Sequence, residues 1–140
     1  MIVDNNFSKT IDLLHRSMSA STLRHAVYAD NLANADVPNF RRTEVTFESQ
    51  LGRSLNSQAN RPALLLTQTH PNHVSNWQPM DHQDVLPRRV LDFATQTQNN
   101  GSNVDAEEEV NLLLKNQLRY TLATQMANFE FSQVSMILRG

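Results

Sequence analysis

Asp30-Asn31-Leu32-Ala33-Asn34-Ala35-Asp36-Val37-Pro38-Asn39-Phe40-Arg41-Arg42 marks the point at which a long helical pattern stops. Upstream of it, residues 1 to 37 contain neither glycine nor proline. Phe7, Ile11, Leu14, Met18, Ser21, His25, Tyr28, Leu32 and Ala35 are spaced alternately four and three apart. That is a heptad stripe, diluted in its middle by Ser21 and His25 and widened by Leu23, Ala26 and Val27. Asn5 or Asn6 suits the start as a cap, and Pro38 stops the helix because it disfavours helical geometry at Val37. Such a helix of about 30 residues is ~45 Å long. Within the turn, Asn31 and Asn34 can bond free carbonyls at the helix end. Ala33 and Ala35 let another backbone come close. Asn39 tolerates the positive φ that the position after proline calls for.

Beyond the turn the composition changes. Residues 38 to 101 hold all five prolines and two of the three glycines. Gln, Asn, Ser, Thr and Pro dominate from Ser49 to Asn100. This middle reads as irregular chain, with short strands expected over Ala63–Thr69 and Arg89–Phe93. Residues 102 to 139 again lack glycine and proline. Asp105 followed by Glu108 reads as a capping-box variant, and Glu107, Glu108 and Glu109 complement the helix dipole. Val110, Leu113, Gln117, Tyr120, Thr124, Ala127, Phe131, Val134 and Leu138 form one stripe. Leu114, Leu118, Leu122, Met126 and Phe129 form a second beside it.

The expected fold is therefore mainly α. Long helices in residues 1–37 and 102–140 pack as a coiled-coil-like pair and form one assembly domain; residues 38–101 form a turn and an irregular, partly β middle. Two helices make a single seam, so the second stripe of the last helix is left for another subunit to cover.

Composition limits the chemistry. The chain has 140 residues, a net charge of -2 and no cysteine. It has no basic face for nucleic acid, no thiolate site and no thiol nucleophile. No apolar run approaches the ~20 residues of a membrane span. The start of the chain, Met1 to Phe7, lacks the pattern of a cleavable secretory signal. His70, His73 and His82 with Asp81 and Asp84 lie in a proline-containing loop, where no helix fixes them as metal ligands. No G-x-S-x-G and no glycine-rich phosphate loop occurs, so catalytic, cofactor and metal residues are all read as none. His15 and His25 read as interface or partly buried residues. Trp77 suits either docking to a neighbour or anchoring the middle.

The turn resembles the signature of the flagellar axial proteins, N-[IL]-A-N-A-x-T-P-G-Y-[KR]. Asn31, Leu32, Ala33, Asn34, Ala35, Pro38 and Arg41 match it; Phe40 replaces Tyr, Val37 replaces Thr and Asn39 replaces Gly. Further segments resemble the short proximal rod proteins of that family. They are Glu44 to Leu51, Thr67-Gln68-Thr69-His70-Pro71-Asn72-His73, Asn100 to Asp105 with Glu109, and Asn116-Gln117-Leu118-Arg119-Tyr120. The competing short rod protein, FlgC, carries R-x-Y-x-x-N in its last helix, whereas here Tyr120 is followed by Thr121, Leu122 and Ala123.

The resemblance implies a structural subunit that polymerises through its terminal helices and transmits torque. It implies Phe7, Ile11, Leu14, Met18, Tyr28, Leu32, Val110, Leu113, Leu114, Leu118, Tyr120, Leu122, Phe129, Phe131 and Val134 as packing and assembly residues. It implies partners: copies of itself, rod proteins of the FlgC, FlgF and FlgG type, the adaptor FliE at the MS ring, and the flagellar type III export apparatus. The location implied is the periplasm-spanning rod of the basal body, reached without a cleaved signal. Phe7 and Ile11 also resemble the gate-recognition motif of early export substrates; the plainer reading is that they begin the heptad stripe. The remaining alternative is a cytoplasmic coiled-coil adaptor or export chaperone, for which the turn motif is not expected.

Overall fold

The computed structural model describes residues 3–60, 69–70, 72–73, 78–94 and 99–139, with side chains from residue 6 onward. The strand expected over Ala63–Thr69, apart from Thr69, lies outside the described residues, as does Trp77. The chain forms two compact units, one of Met1–Val45 with Pro87–Gly140 and one of Thr46–Leu86.

The first unit is built on α1 (Val3–Ala33) and α3 (Ala106–Arg139), which pack against each other. Their contacts run in opposite senses. Phe7 meets Phe131 edge to face at 5.8 Å between ring centroids. Thr124 Oγ1 lies 3.7 Å from Met18 Sδ. Asn116 Nδ2 donates to the Ser21 carbonyl at 2.8 Å. Asn31 Nδ2 donates to Glu109 Oε2 at 3.1 Å. The pair is thus an antiparallel hairpin, long for its core. Its buried apolar residues are small, Ala20 and Val27 on α1 and Ala123 on α3.

Two boundaries of α1 differ from the sequence reading. The helix already includes Val3, so Asn5 and Asn6 lie inside it and do not cap it. It ends at Ala33, ahead of Pro38, and the chain leaves through turns closed by Val37 N to Asn34 O at 3.0 Å and Phe40 N to Val37 O at 3.2 Å. Asn34 Nδ2 donates to Asp30 O at 2.7 Å and satisfies a carbonyl of the last helical turn, as expected of it. At the other helix, Asp105 Oδ1 accepts from Glu107 N at 2.9 Å and from Glu108 N at 3.3 Å.

A two-stranded sheet of β1 (Thr43–Thr46) and β2 (Arg88–Leu91) lies at the end of this unit. The bond from Asp92 N to Arg42 O, 2.9 Å, sets the start of β1 beside the end of β2. β2 occupies the region where a strand was expected, with bounds shifted from Arg89–Phe93. β1 was not anticipated.

The second unit contains α2 (Glu48–Ala59) in a stretch that reads as loop from composition. The helix exists because its polar side chains have a backbone to hold. Ser54 Oγ and Gln58 Nε2 both donate to Met80 O, at 2.9 and 3.0 Å, and Met80 N donates to Ser57 Oγ at 2.9 Å. Among the described residues of this unit, Phe47 and Val85 are the buried apolar ones. A single 3₁₀ turn, His82–Asp84, starts at Asp81, whose Oδ1 accepts from Gln83 N at 3.0 Å.

Candidate functional site

The turn motif folds into a buried polar clasp. Asn31 sits in the last turns of α1 with its side chain fully enclosed. Its amide is completely used: Nδ2 donates to Thr43 O at 2.9 Å and to Glu109 Oε2 at 3.1 Å, and Oδ1 accepts from Thr43 N at 3.0 Å. The sequence reading gave Asn31 a capping role at its own helix. The structure corrects this: the side chain bonds Thr43 and Glu109 and so docks β1 and α3 onto α1.

Arg42 is the second centre. Its Nε donates to Glu109 Oε1, and its NH1 group to Glu44 and, at 3.3 Å, to Asp92 Oδ2. Its backbone N donates to Asn103 Oδ1 at 2.7 Å, and Asn103 Nδ2 donates to Asp92 O at 2.9 Å. Burial works against the Arg42 charge, but the hydrogen bonds it donates to Glu109 and Glu44 outweigh it and hold its pKa above the usual arginine range. By its place in the first turn Glu109, like Glu107 and Glu108, complements the helix dipole. It is fully buried and paired, while its two neighbours are exposed. Of the three carboxylates around Arg42 only Glu109 is fully buried; removing one partner of a buried pair costs up to about 3–5 kcal/mol.

The rest of the motif wraps the clasp. Asn39 takes φ 60, the positive value its place after proline suggested. Its N donates to Asn100 O at 3.1 Å. Gly101 has φ 78, and a Cβ there would lie 2.4 Å from Asn39 Oδ1. Ser102, Asn103 and Val104 are buried next to this turn. Pro38, Ala33 and Arg41 are exposed; Leu32, Ala35 and Phe40 are half-buried.

The helix stripes are divided by the fold. On α1 the buried line is Ala20, Arg24, Val27 and Asn31. The expected stripe over the same stretch, Ser21, His25, Tyr28 and Leu32, is one position further on. The enclosed Asn31 turns α1 so that His25 is exposed and only Ser21 of that set is buried. His15 is exposed too. Phe7, Ile11, Leu14, Met18, Tyr28 and Leu32 are half-buried, as are Leu113 and Val134 of α3. Burial pushes the Tyr28 hydroxyl up from its ordinary pKa of 10.0. The buried line of α3 is Glu109, Asn116 and Ala123.

The second α3 stripe has no cover in the single chain. Leu114, Leu118, Leu122, Met126 and Phe129 are all more than half exposed, and Val110, Tyr120 and Phe131 also reach solvent. Towards the end of α3, Met136, Ile137 and Leu138 are 74–80 % exposed. A groove of about 550 Å³ runs beside this face, lined by Thr10 and Leu14 of α1 and by Leu122, Gln125, Met126, Phe129 and Glu130 of α3. A monomer rarely leaves so continuous an apolar face in water.

In the second unit His82 Nδ1 lies 3.2 Å from Asp81 Oδ1 and 3.4 Å from the Gln58 amide. The rings of His70 and His73 are 5.8 Å apart. Among the described residues no three His, Asp or Glu side chains gather as metal ligands. None of the described helices is long and apolar enough to cross a membrane.

Sequence reasoning does not find the connected set Arg42, Glu109, Asn103 and Asp92, nor the separate bond of Asn116 to Ser21. A signal for two of them was present. Glu109 and Asn116 stand seven apart with Ala123, so a carboxylate and an amide occupy repeat positions of the helix.

Residues 14–41, which include the turn and the second half of α1, match the family model of the flagella basal body rod protein. The FlgB flagellar basal body rod protein of Borreliella burgdorferi is 38% identical over 136 residues, covering 96% of this chain and 99% of that protein. The FlgB of Bacillus subtilis is 29% identical over 134 residues, 96% of each chain. That of Aquifex aeolicus is 26% identical over 130 residues, 93% of each. Identity at this level along nearly the whole length, together with the match on the clasp-forming turn, places the chain in the FlgB family of flagellar basal body rod proteins.

Proposed function

We propose that this chain is a structural subunit of the proximal rod of the flagellar basal body, assembling through α1 and α3 and carrying torque by packing. The observation that supports it is the open face of α3, Leu114, Leu118, Leu122, Met126 and Phe129, beside the groove at Leu14. Helices from neighbouring copies or from related rod proteins fit such a face. Addition of subunits by one repeated rotation and rise gives a helical tube rather than a closed ring. Close-packed side chains have few alternative arrangements, so the wall resists shear.

The finer assignments belong to the same proposal. Residues 1–37 and 102–140 act as the assembly domain, with FliE-type adaptors and FlgC-, FlgF- and FlgG-type rod proteins as neighbours. Export runs through the flagellar type III apparatus without a cleaved signal, and Phe7 and Ile11 serve recognition at its gate. The full-length relatives carry the FlgB name, which disfavours the FlgC alternative.

Deleting the gene and imaging basal bodies by electron microscopy tests the function. Non-motile cells with an MS ring and no rod, restored by the gene in trans, are the expected result. Intact rods and normal swimming, with no duplicate gene present, would overturn it.

A further inference from the structure

The seam between α1 and α3 leaves its own alignment open if only apolar contacts are considered. Glu109, Asn116 and Ala123, the buried positions of α3, are one heptad apart. Ala20, Arg24, Val27 and Asn31 on α1 follow four-three-four spacing. Sliding one helix by a heptad returns every position to the same face. Small side chains at Ala20, Val27 and Ala123 discriminate weakly between such registers. Asn116 also borders an open groove of about 350 Å³, lined by the exposed Thr22, His25, Ala26, Gln117 and Tyr120.

Two polar contacts do discriminate. Glu109 meets Asn31 and Arg42 at one end. Asn116 Nδ2 meets the Ser21 carbonyl in mid-seam, while its buried Oδ1 has no hydrogen-bond partner among the described residues. A slide one way would put Asn116 in the place of Glu109 and leave buried Arg42 without that carboxylate. A slide the other way would put the Glu109 carboxylate against the Ser21 carbonyl, acceptor against acceptor. Each wrong register therefore takes from Arg42 its fully buried carboxylate partner or opposes two acceptors.

We infer that Asn116 and Glu109 together set the register of the α1–α3 hairpin, Asn116 acting as a positioning residue that leaves an acceptor unsatisfied in exchange for alignment. A single polar residue at a seam position is known to specify register at a cost in stability. The register decides which part of α1 flanks the open face of α3, and so whether Leu14 borders the groove with Leu122, Met126 and Phe129. That last consequence rests on the rod reading; the register itself does not.

The absence of cysteine from the chain makes cross-linking unambiguous. Met18→Cys with Thr124→Cys reports the native register. Met18→Cys with Phe131→Cys, or with Gln117→Cys, reports a slide of one heptad in either direction. Each pair is placed in the full chain, alone and combined with Asn116→Leu or with Asn116→Leu and Glu109→Leu, with helix content followed by circular dichroism. In the unmodified background only the native pair links. With Asn116→Leu, helix content is kept and a slid pair rises about tenfold, the effect of losing one decade of discrimination. The double replacement goes further if it remains helical; if it does not, the single replacement decides.

Links confined to the native pair at the unmodified rate in Asn116→Leu would overturn the inference. So would loss of helix in Asn116→Leu, which would make the residue a support for stability and not a choice between registers. Failure of every pair to link in the unmodified background would also overturn it, because the register would then not belong to the chain alone.

Discussion

Asn31 and Glu109, 78 positions apart in the chain, are joined by a hydrogen bond of 3.1 Å with both side chains fully buried. The bond connects the family's turn motif to the first turn of the last helix. It also explains the choice of residue at position 31. An amide there donates twice and accepts once at the same spot, which neither Asp nor Leu can do. Replacing Glu109 by Ala takes from Arg42 its one fully buried carboxylate, leaving Glu44 and Asp92, and leaves one Asn31 donor unpaired. The expected loss is at most about 3–5 kcal/mol, read as a fall in the urea or thermal midpoint. Glu107→Gln, at an exposed position of the same turn, is expected to stay within about 0.5 kcal/mol. Equal effects of the two would remove the clasp from the account of stability.

Gly101 and Asn39 both have positive φ and lie against each other. A methyl group at Gly101 would meet Asn39 Oδ1 at 2.4 Å and would itself be strained. Gly101→Ala should therefore destabilise by more than about 1 kcal/mol, while Asn39→Gly should be tolerated within a few tenths. Denaturant unfolding of the two variants side by side checks the contrast.

Leu118 and Leu122 contribute to the open face of α3 and little to the single-chain core. Leu118→Glu and Leu122→Glu are expected to change the stability of the isolated chain by no more than about 0.5 kcal/mol and to abolish rod assembly and swimming. Circular dichroism of the purified chain and a motility assay separate the two effects. Normal swimming of both variants would remove this face from the assembly surface.

Phe7 holds Phe131 in the folded hairpin, and Ile11 is half-buried nearby in sequence. If the pair also serves export, the double change Phe7→Ala and Ile11→Ala should stop secretion while purified protein still assembles. Secretion at normal levels, with assembly lost, would leave these residues to packing alone. The edge-to-face contact itself contributes on the order of 1 kcal/mol beyond area burial.

Tyr28 has its hydroxyl pKa raised, chiefly by burial. Because the folded value lies above the unfolded one, its contribution to stability is complete below about pH 10 and is lost as pH rises through the folded value. Tyr28→Phe should remove that part of the alkaline decline. Thermal midpoints of both proteins from pH 8 upward check the difference, and parallel decline would exclude Tyr28 as a cause.

Much of the architecture was readable before any coordinates. Glycine- and proline-free ends with heptad spacing define α1 and α3, since periodicity and the absence of helix breakers are local properties of the chain. Asp105 as a cap, Asn34 at the helix end and positive φ at Asn39 were readable for the same reason. α2 was missed because Ser54, Ser57 and Gln58 look like loop composition until the backbone of Met80 arrives to receive them. The end of α1 was placed too late because Pro38 limits the helix but does not require it to continue to Val37.

The division between sequence and tertiary structure follows the range of the interactions. The sequence by itself determined that two long amphipathic helices bracket a broken middle, that the last helix carries more apolar surface than one partner can cover, and that the turn carries a family motif. Only the tertiary structure decided which face of α1 is buried, which of three adjacent glutamates is paired, and why Arg42 is held inside. Those choices depend on contacts such as Arg42 with Glu109, 67 positions away. A buried charge selects its partner in space, by desolvation and hydrogen bonding, and leaves no periodic trace along the chain.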